Sequence, residues 1–156
     1  MKPFMLLTLL FAFAACSKNE NTQNSNCVLN RSNFIGVYKL AAVTEISPAG
    51  VETNALGGAC YKPCELDDTY EFRSDSAIFK ANSIACATTD NYGASTWDLF
   101  GDTLYISQDW NLITRDNTPN SRAIILDFNC DSFTVFLGLD LCPVRGTMYK
   151  ATYKRN

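Results

Sequence analysis

Between residues 64 and 79 apolar and polar side chains alternate with a period of two. Tyr70 and Phe72 stand against Thr69, Glu71 and Arg73, the pattern of a strand with one buried face. Arg73-Ser74-Asp75-Ser76 follows, four residues of the kind that hydrogen-bond their own backbone in turns. Ile78 and Phe79 then open a second strand, so the stretch predicts a β-hairpin entered through Cys64. The same reading predicts a strand over 34–44, with Tyr38, Leu40 and Ala42 on one face and Val37, Lys39 and Ala41 on the other. Further strands are predicted over 95–99, where Trp97 and Leu99 point the same way, and over 103–106, 122–128, 133–137 and 145–154. Phe100-Gly101-Asp102 and Asn129-Cys130-Asp131 are the tight turns between neighbours, and 47–58, 83–94, 109–120 and 138–144 read as loops. Eight short strands with regular turn signals and no convincing helix predict an antiparallel meander, closed as an up-and-down barrel or packed as a sandwich. Closure removes exposed strand edges, and eight strands leave room for side chains or one small ligand.

The chain start follows a different pattern. After Lys2, residues 4–13 are almost wholly apolar, a run too short to span a bilayer as a mature helix. Small residues and a cysteine follow, Ala14-Ala15-Cys16. This is the layout of an export signal over 1–15. Its end resembles a bacterial lipobox, with Phe13 where Leu is usual, and the resemblance implies cleavage before Cys16 and a diacylglyceryl group on that cysteine. Acyl chains contribute about 0.8 kcal/mol per buried methylene, so two or three anchor a protein stably. Residues 17–32 are mainly Ser, Asn, Gln, Thr, Lys and Glu, too polar to order themselves. They predict a flexible tether, with the folded domain over 33–156. The expected location is the cell envelope, on the outer membrane.

Charge narrows the partners. The chain carries 13 basic and 16 acidic residues. Loss of 1–15 removes only Lys2, leaving 12 against 16 and a net charge of −4. That balance argues against nucleic acid, which needs clustered Lys and Arg. It also makes the expected membrane contact the lipid on Cys16, not a basic face.

Of seven cysteines, six remain once Cys16 carries lipid: Cys27, Cys60, Cys64, Cys86, Cys130 and Cys142. An even number in an exported chain predicts up to three disulfides, with 15 possible connectivities. Cys64 enters the hairpin and Cys86 lies just past its end, so Cys64–Cys86 is the expected pair; the others stay open, although Cys27 sits where it would pin the tether to the body. The chain has no histidine and no Cys-x-x-Cys pair, so neither zinc nor another metal is expected.

Several pieces together resemble a known family. They are Gly36-Val37-Tyr38-Lys39-Leu40, then Cys64-x-x-Asp67-Asp68-x-Tyr70-x-Phe72, then Trp97-x-Leu99-x-Gly101-Asp102-x-Leu104-x-Ile106, and a closing strand with Tyr149-x-x-x-Tyr153. The order is similar to the lipocalin-like domains of bacterial envelope lipoproteins. That resemblance covers about residues 33–155 and implies an all-β, eight-stranded antiparallel up-and-down lipocalin-like barrel, braced here by disulfides. Lipocalins carry Gly-x-Trp on the first strand; here Tyr38 stands in the place of Trp. They also tend to place a late basic residue over that ring, for which Arg145, Lys150, Lys154 and Arg155 qualify. The family implies a calyx that holds an apolar molecule, and no set activity.

Enzymatic chemistry finds little support. Without histidine the commonest general base is missing, and the cysteines are expected to be oxidised. Glu65, Asp67 and Asp68 form an acidic cluster, read as a solvated loop whose aspartates cap turn amides. Ligand-lining candidates are Tyr38, Leu40, Tyr70, Phe72, Phe79, Trp97, Leu99, Phe128, Phe133 and Tyr149, since apolar walls with tyrosine hydroxyls as handles are what small-molecule sites use. Trp110, in a polar loop, reads as a plug over the barrel end. Asp75-Ser76-Ala77 and Asp102-Thr103-Leu104 resemble a short motif of bacterial O-glycosylation. The expectation is a non-catalytic envelope lipoprotein, without cofactor, binding a small apolar or amphipathic ligand. The alternative is a protein-interaction module with a filled core and contacting loops; the sequence names no protein partner.

Overall fold

The computed structural model describes residues 27–58, 63–82, 94–107, 121–137 and 147–156. A four-residue helix, α1 (Arg31–Phe34), precedes β1 (Gly36–Ile46) and the short β2 (Glu52–Asn54). A single 3-10 turn (Pro63–Glu65) leads into β3 (Thr69–Phe72) and β4 (Ala77–Lys80). Then come β5 (Ala94–Phe100), β6 (Thr103–Ser107), β7 (Ser121–Phe128), β8 (Ser132–Leu137) and β9 (Met148–Arg155). Successive strands from β3 to β9 pair antiparallel with their neighbours, and β1 pairs with β3. Strand β9 returns to β1, from Tyr38 opposite Arg155 to Ile46 opposite Met148. Eight strands therefore close a ring, as the alternation predicts.

Strand β2 lies outside that ring, within a stretch read as loop. Its three residues are all exposed, so no apolar alternation marks them. It forms because β3 covers β1 only over Gly36–Tyr38, leaving Thr44, Glu45 and Ile46 to pair with Asn54, Thr53 and Glu52.

Two bulges set which side chains enter the barrel. In β1 the register shifts between Leu40 and Ala42. Tyr38 and Leu40 face inward, then Val43, while Ala42 is exposed rather than sharing their face. An extra residue turns every later side chain over, because the side-chain period is two. In β7 the shift falls between Ile125 and Asp127, so Asp127 as well as Leu126 faces out and Phe128 is half-buried against the core.

The β3–β4, β5–β6 and β7–β8 turns all lie at one end of the barrel, with the C-terminus, and α1 closes that end. The chain at 31–34 is helical rather than extended, so β1 begins at Gly36, not at Phe34. Asn30 caps the helix: its Oδ1 accepts from the Asn33 amide at 2.8 Å. The single turn aims Phe34 into the barrel. Its ring centroid lies 4.8 Å from Phe133, 4.9 Å from Phe72, 5.7 Å from both Tyr38 and Trp97, and 5.9 Å from Phe128. Burying such a ring contributes about 2–3 kcal/mol.

Two arginines bolt the helix down. The Arg31 guanidinium donates to the carbonyls of Trp97 and Ser74, pairs with Asp98 at 2.7 Å, and lies 4.3 Å from the Trp97 ring centroid. On the other side Arg155 donates to the carbonyls of Cys130 (2.6 Å), Asn33 (2.7 Å) and Ile35 (2.8 Å), and to the Tyr38 hydroxyl (2.8 Å). Of the four basic residues open from the sequence, the one over the Tyr38 ring is Arg155, 5.1 Å from its centroid. Gly36 is the seat for that guanidinium: a Cβ there would stand 2.7 Å from Arg155 Nη1.

Residues 27–32, read by composition as tether, thus carry contacts that fasten them to the barrel. A disulfide joins Cys27 to Cys130 across 103 residues of sequence, with Cα atoms 5.6 Å apart. Cys130, in the β7–β8 turn, has a positive φ of 60°. Cys64 is also disulfide-bonded, with its partner outside the described residues. The expected Cys64–Cys86 pair therefore lies there too, as do Cys16, Cys60, Cys142 and Arg145.

Candidate functional site

The barrel interior is the candidate site, and its two ends differ. At the closed end five of the ten lining candidates, Tyr38, Phe72, Trp97, Phe128 and Phe133, surround Phe34. Leu99 is half-buried beside the same cluster. Tyr38 and Phe133 meet edge to face at 4.9 Å, and Phe133 stacks on Tyr153 at 4.9 Å. Protein fills this half. Phe34 was not legible as a lining residue: the only signal for it is Asn30 three residues before Asn33, a cap in front of a helix too short to show a period.

Further from α1 come small residues. Val43 is opposite Ala151, which is opposite Val135, and all three are fully buried. Of the remaining candidates, only Tyr149 lies beyond them; Leu40, opposite Tyr153, and Tyr70, which is opposite Tyr38 and paired with Phe79, stand between this level and the closed-end rings. Tyr70 packs between Phe79 (5.5 Å) and Tyr153 (5.0 Å). Tyr149 is buried opposite Glu45. Burial pushes the Tyr149 hydroxyl pKa up, and the Glu45 charge pushes it the same way. Burial likewise raises the pKa of Tyr38, against the pull of Arg155.

This end also carries buried polar groups. Thr69, Thr147, Glu65 and Asp68 are buried. The acidic cluster is thus no solvated loop. The 3-10 turn folds it back, with the Asp68 amide donating to the Glu65 carbonyl at 3.4 Å, and the Asn82 side chain donates to the Asp67 carbonyl. Among the described residues, no three His, Cys, Asp or Glu side chains gather into a metal-holding group. The chemistry at this end is therefore tyrosine hydroxyls, two threonines and carboxylates set against apolar walls. Trp110 and the loops 83–93 and 108–120 lie outside the described residues.

No family model and no curated protein matches this sequence. Two solved structures do. One is a lipocalin-like protein from Bacteroides uniformis, 12% identical, with a TM-score of 0.43, covering 80% of this chain and 99% of that one. The other is an uncharacterized protein from Bacteroides eggerthii, 11% identical, with a TM-score of 0.43, covering 78% of this chain and 98% of that one. At such identity and TM-score the fold description rests on the strand pairings themselves.

The other sequence-marked groups sit on the outside. Glu71 accepts from Arg73 at 2.7 Å and from Lys80 at 3.0 Å. Those two bonds hold its carboxyl at a pKa of about 2, below the usual 4.5. The two Asp-Ser/Thr motifs lie at closed-end turns, and in both the hydroxyl donates to the aspartate, Ser76 to Asp75 at 3.0 Å and Thr103 to Asp102 at 3.1 Å.

Proposed function

We propose that this chain is a non-catalytic envelope lipoprotein, held to the outer membrane through acyl chains on Cys16, that binds a small apolar or amphipathic molecule at the barrel end opposite α1. The observation that supports it is the asymmetry of the interior. Aromatic rings fill the closed half; next to them Tyr70 and Phe79 lead towards buried Asp68 and Glu65 ahead of β3, and Tyr149 and buried Thr147 stand at the far end of β9. Apolar walls with a few polar groups are what a site for an amphipathic molecule needs. Its tail lies against Tyr70 and Phe79 and its head meets the hydroxyls.

A second reading draws on a different observation. Val43, Val135 and Ala151 are fully buried although small, so water-sized space does not reach them. This favours a filled core, with the loops contacting a protein partner.

Native mass spectrometry of the domain without residues 1–16 separates the two. A stoichiometric lipid-like adduct, or uptake of a fluorescent fatty acid that Tyr70→Ala weakens, supports the ligand reading. A bare mass with no uptake of the probe refutes it and leaves the partner reading.

A further inference from the structure

The closed end carries apolar side chains that no strand covers. Phe100, at the β5–β6 turn, is 80% exposed, Val28 66%, Leu126 50% and Ile124 46%. They are not scattered. Phe100 is opposite Thr103, Thr103 opposite Ile124, and Ile124 opposite the half-buried Phe136, so these four form one outward row across β5 to β8. Leu126, two residues on from Ile124 and on the same outward face, extends the row towards Cys130. Val28 stands next to Cys27, which is bonded to Cys130. A soluble domain rarely leaves such a row open without a partner for it.

The chain itself says what lies nearby. The disulfide delivers residues before Cys27 to the β7–β8 turn, at the edge of this row. Only ten residues lie between Cys16 and Cys27. Fully extended they reach about 40 Å, and a relaxed polar chain of that length spans about 18 Å. The relaxed span is within one barrel diameter, so an anchor on Cys16 keeps this end near the bilayer.

We infer that the outer face of β5–β7 at the closed end, with Phe100, Ile124 and Leu126 leading, lies in the lipid headgroup region, which sets the barrel's orientation and turns the opposite end away from the membrane. This rests on the reading of Cys16 as lipidated. The contact is apolar rather than electrostatic. Asp102 and Asp127 border the row and Arg122 stands beside Tyr105, a mixed charge that favours neither anionic lipid nor its absence. Side chains such as Phe and Leu on an interfacial face sink about 5–10 Å, to the boundary with the acyl chains.

The test uses the full acylated protein in phosphatidylcholine vesicles, with dibrominated acyl chains as quencher. Two variants carry an added indole, F100W in the row and V51W at the exposed β1–β2 turn of the opposite end. Once the native tryptophan signal is subtracted, the F100W indole is expected to lose about twofold in emission, as befits a ring at acyl-chain depth, and the V51W indole to keep its emission. Equal quenching of both, or of neither, overturns the inference. So does an F100W indole shielded from aqueous iodide but untouched by bromolipid, which means a protein covers the row. The mass of the N-terminal fragment is read in the same samples. An unacylated Cys16 refutes the anchor and this orientation with it, whereas an acylated Cys16 with an unquenched indole refutes the orientation alone. A sugar mass on Thr103, which sits inside the row, also overturns it.

Discussion

Replacing Arg155 with methionine keeps an unbranched apolar stem and removes the fork. The guanidinium donates to three carbonyls on two separate segments, α1 with its exit and the β7–β8 turn, and to the Tyr38 hydroxyl on β1. A bond from a charged donor contributes about 1.5–3 kcal/mol net. The bond to Ile35 is exposed, so it counts for little; those to Cys130 and Asn33 are half-buried and together contribute about 3 kcal/mol. The contact with the Tyr38 ring adds about 0.5–1 kcal/mol. Because these bonds share one group they are not additive, and the expected loss is about 3–4 kcal/mol, or roughly 10–15 °C in Tm for a domain of this size. Urea unfolding of the oxidised domain measures it directly. Arg155→Lys should recover less than half, since an ammonium is a point donor that cannot reach all four acceptors. The double variant R155M/Y38F should show a coupling of about 1 kcal/mol. A loss below about 1 kcal/mol for R155M, or a lysine variant equal to the parent, would refute the view that this fork holds the closed end.

Three further outcomes follow from the same end of the barrel and its flank. Phe34→Ala empties the space among five rings and should cost about 3–5 kcal/mol; unfolding by denaturant checks it, and protection of the amides in 31–35 against hydrogen exchange should fall as well. Gly36→Ala should cost about 2 kcal/mol in the parent by displacing a guanidinium, and less than half of that in an R155M background, where the clash has gone; equal costs in both would show that the seat argument fails. Glu71→Gln should lower Tm at neutral pH. The carboxyl's pKa in the folded chain is about 2, depressed from 4.5, so its contribution is complete above about 4.5 and is lost as pH falls towards 2. The difference between parent and variant should therefore shrink in thermal scans from pH 5 down to pH 2, and a constant difference would exclude the carboxylate as its source.

The strands were legible because burial on one face imposes a period on the residues, and Tyr70-Glu71-Phe72 or Tyr149-Lys150-Ala151 obey it directly. Where burial does not impose it, the reading fails. Glu52, Thr53 and Asn54 are a strand only because β1 has bare backbone beside them. Phe34 belongs to one helical turn, and one turn has no period. Ala42 follows the alternation on paper and loses it at a bulge that no residue type marks. The acidic cluster looked solvated because carboxylates usually are; a 3-10 turn folds Glu65 and Asp68 inward, and such a turn depends on what packs above it. Among Arg145, Lys150, Lys154 and Arg155, only the register of β9 on β1 selects the last. The Cys27–Cys130 bond occurs in only three of the fifteen connectivities of six cysteines, and spacing alone says nothing about a closure over 103 residues.

That bond also fixes how the molecule would bear load. A pull on the chain ahead of Cys27 does not peel α1 away one residue at a time. It passes through sulfur into the β7–β8 hairpin, between β6 on one side and β9 on the other. The Arg155 amide grips the Asp131 carbonyl at 2.6 Å in that same hairpin, so the force is shared with the strand that closes the ring. The weak single-turn helix is taken out of the line of tension, and the barrel is held by its seam.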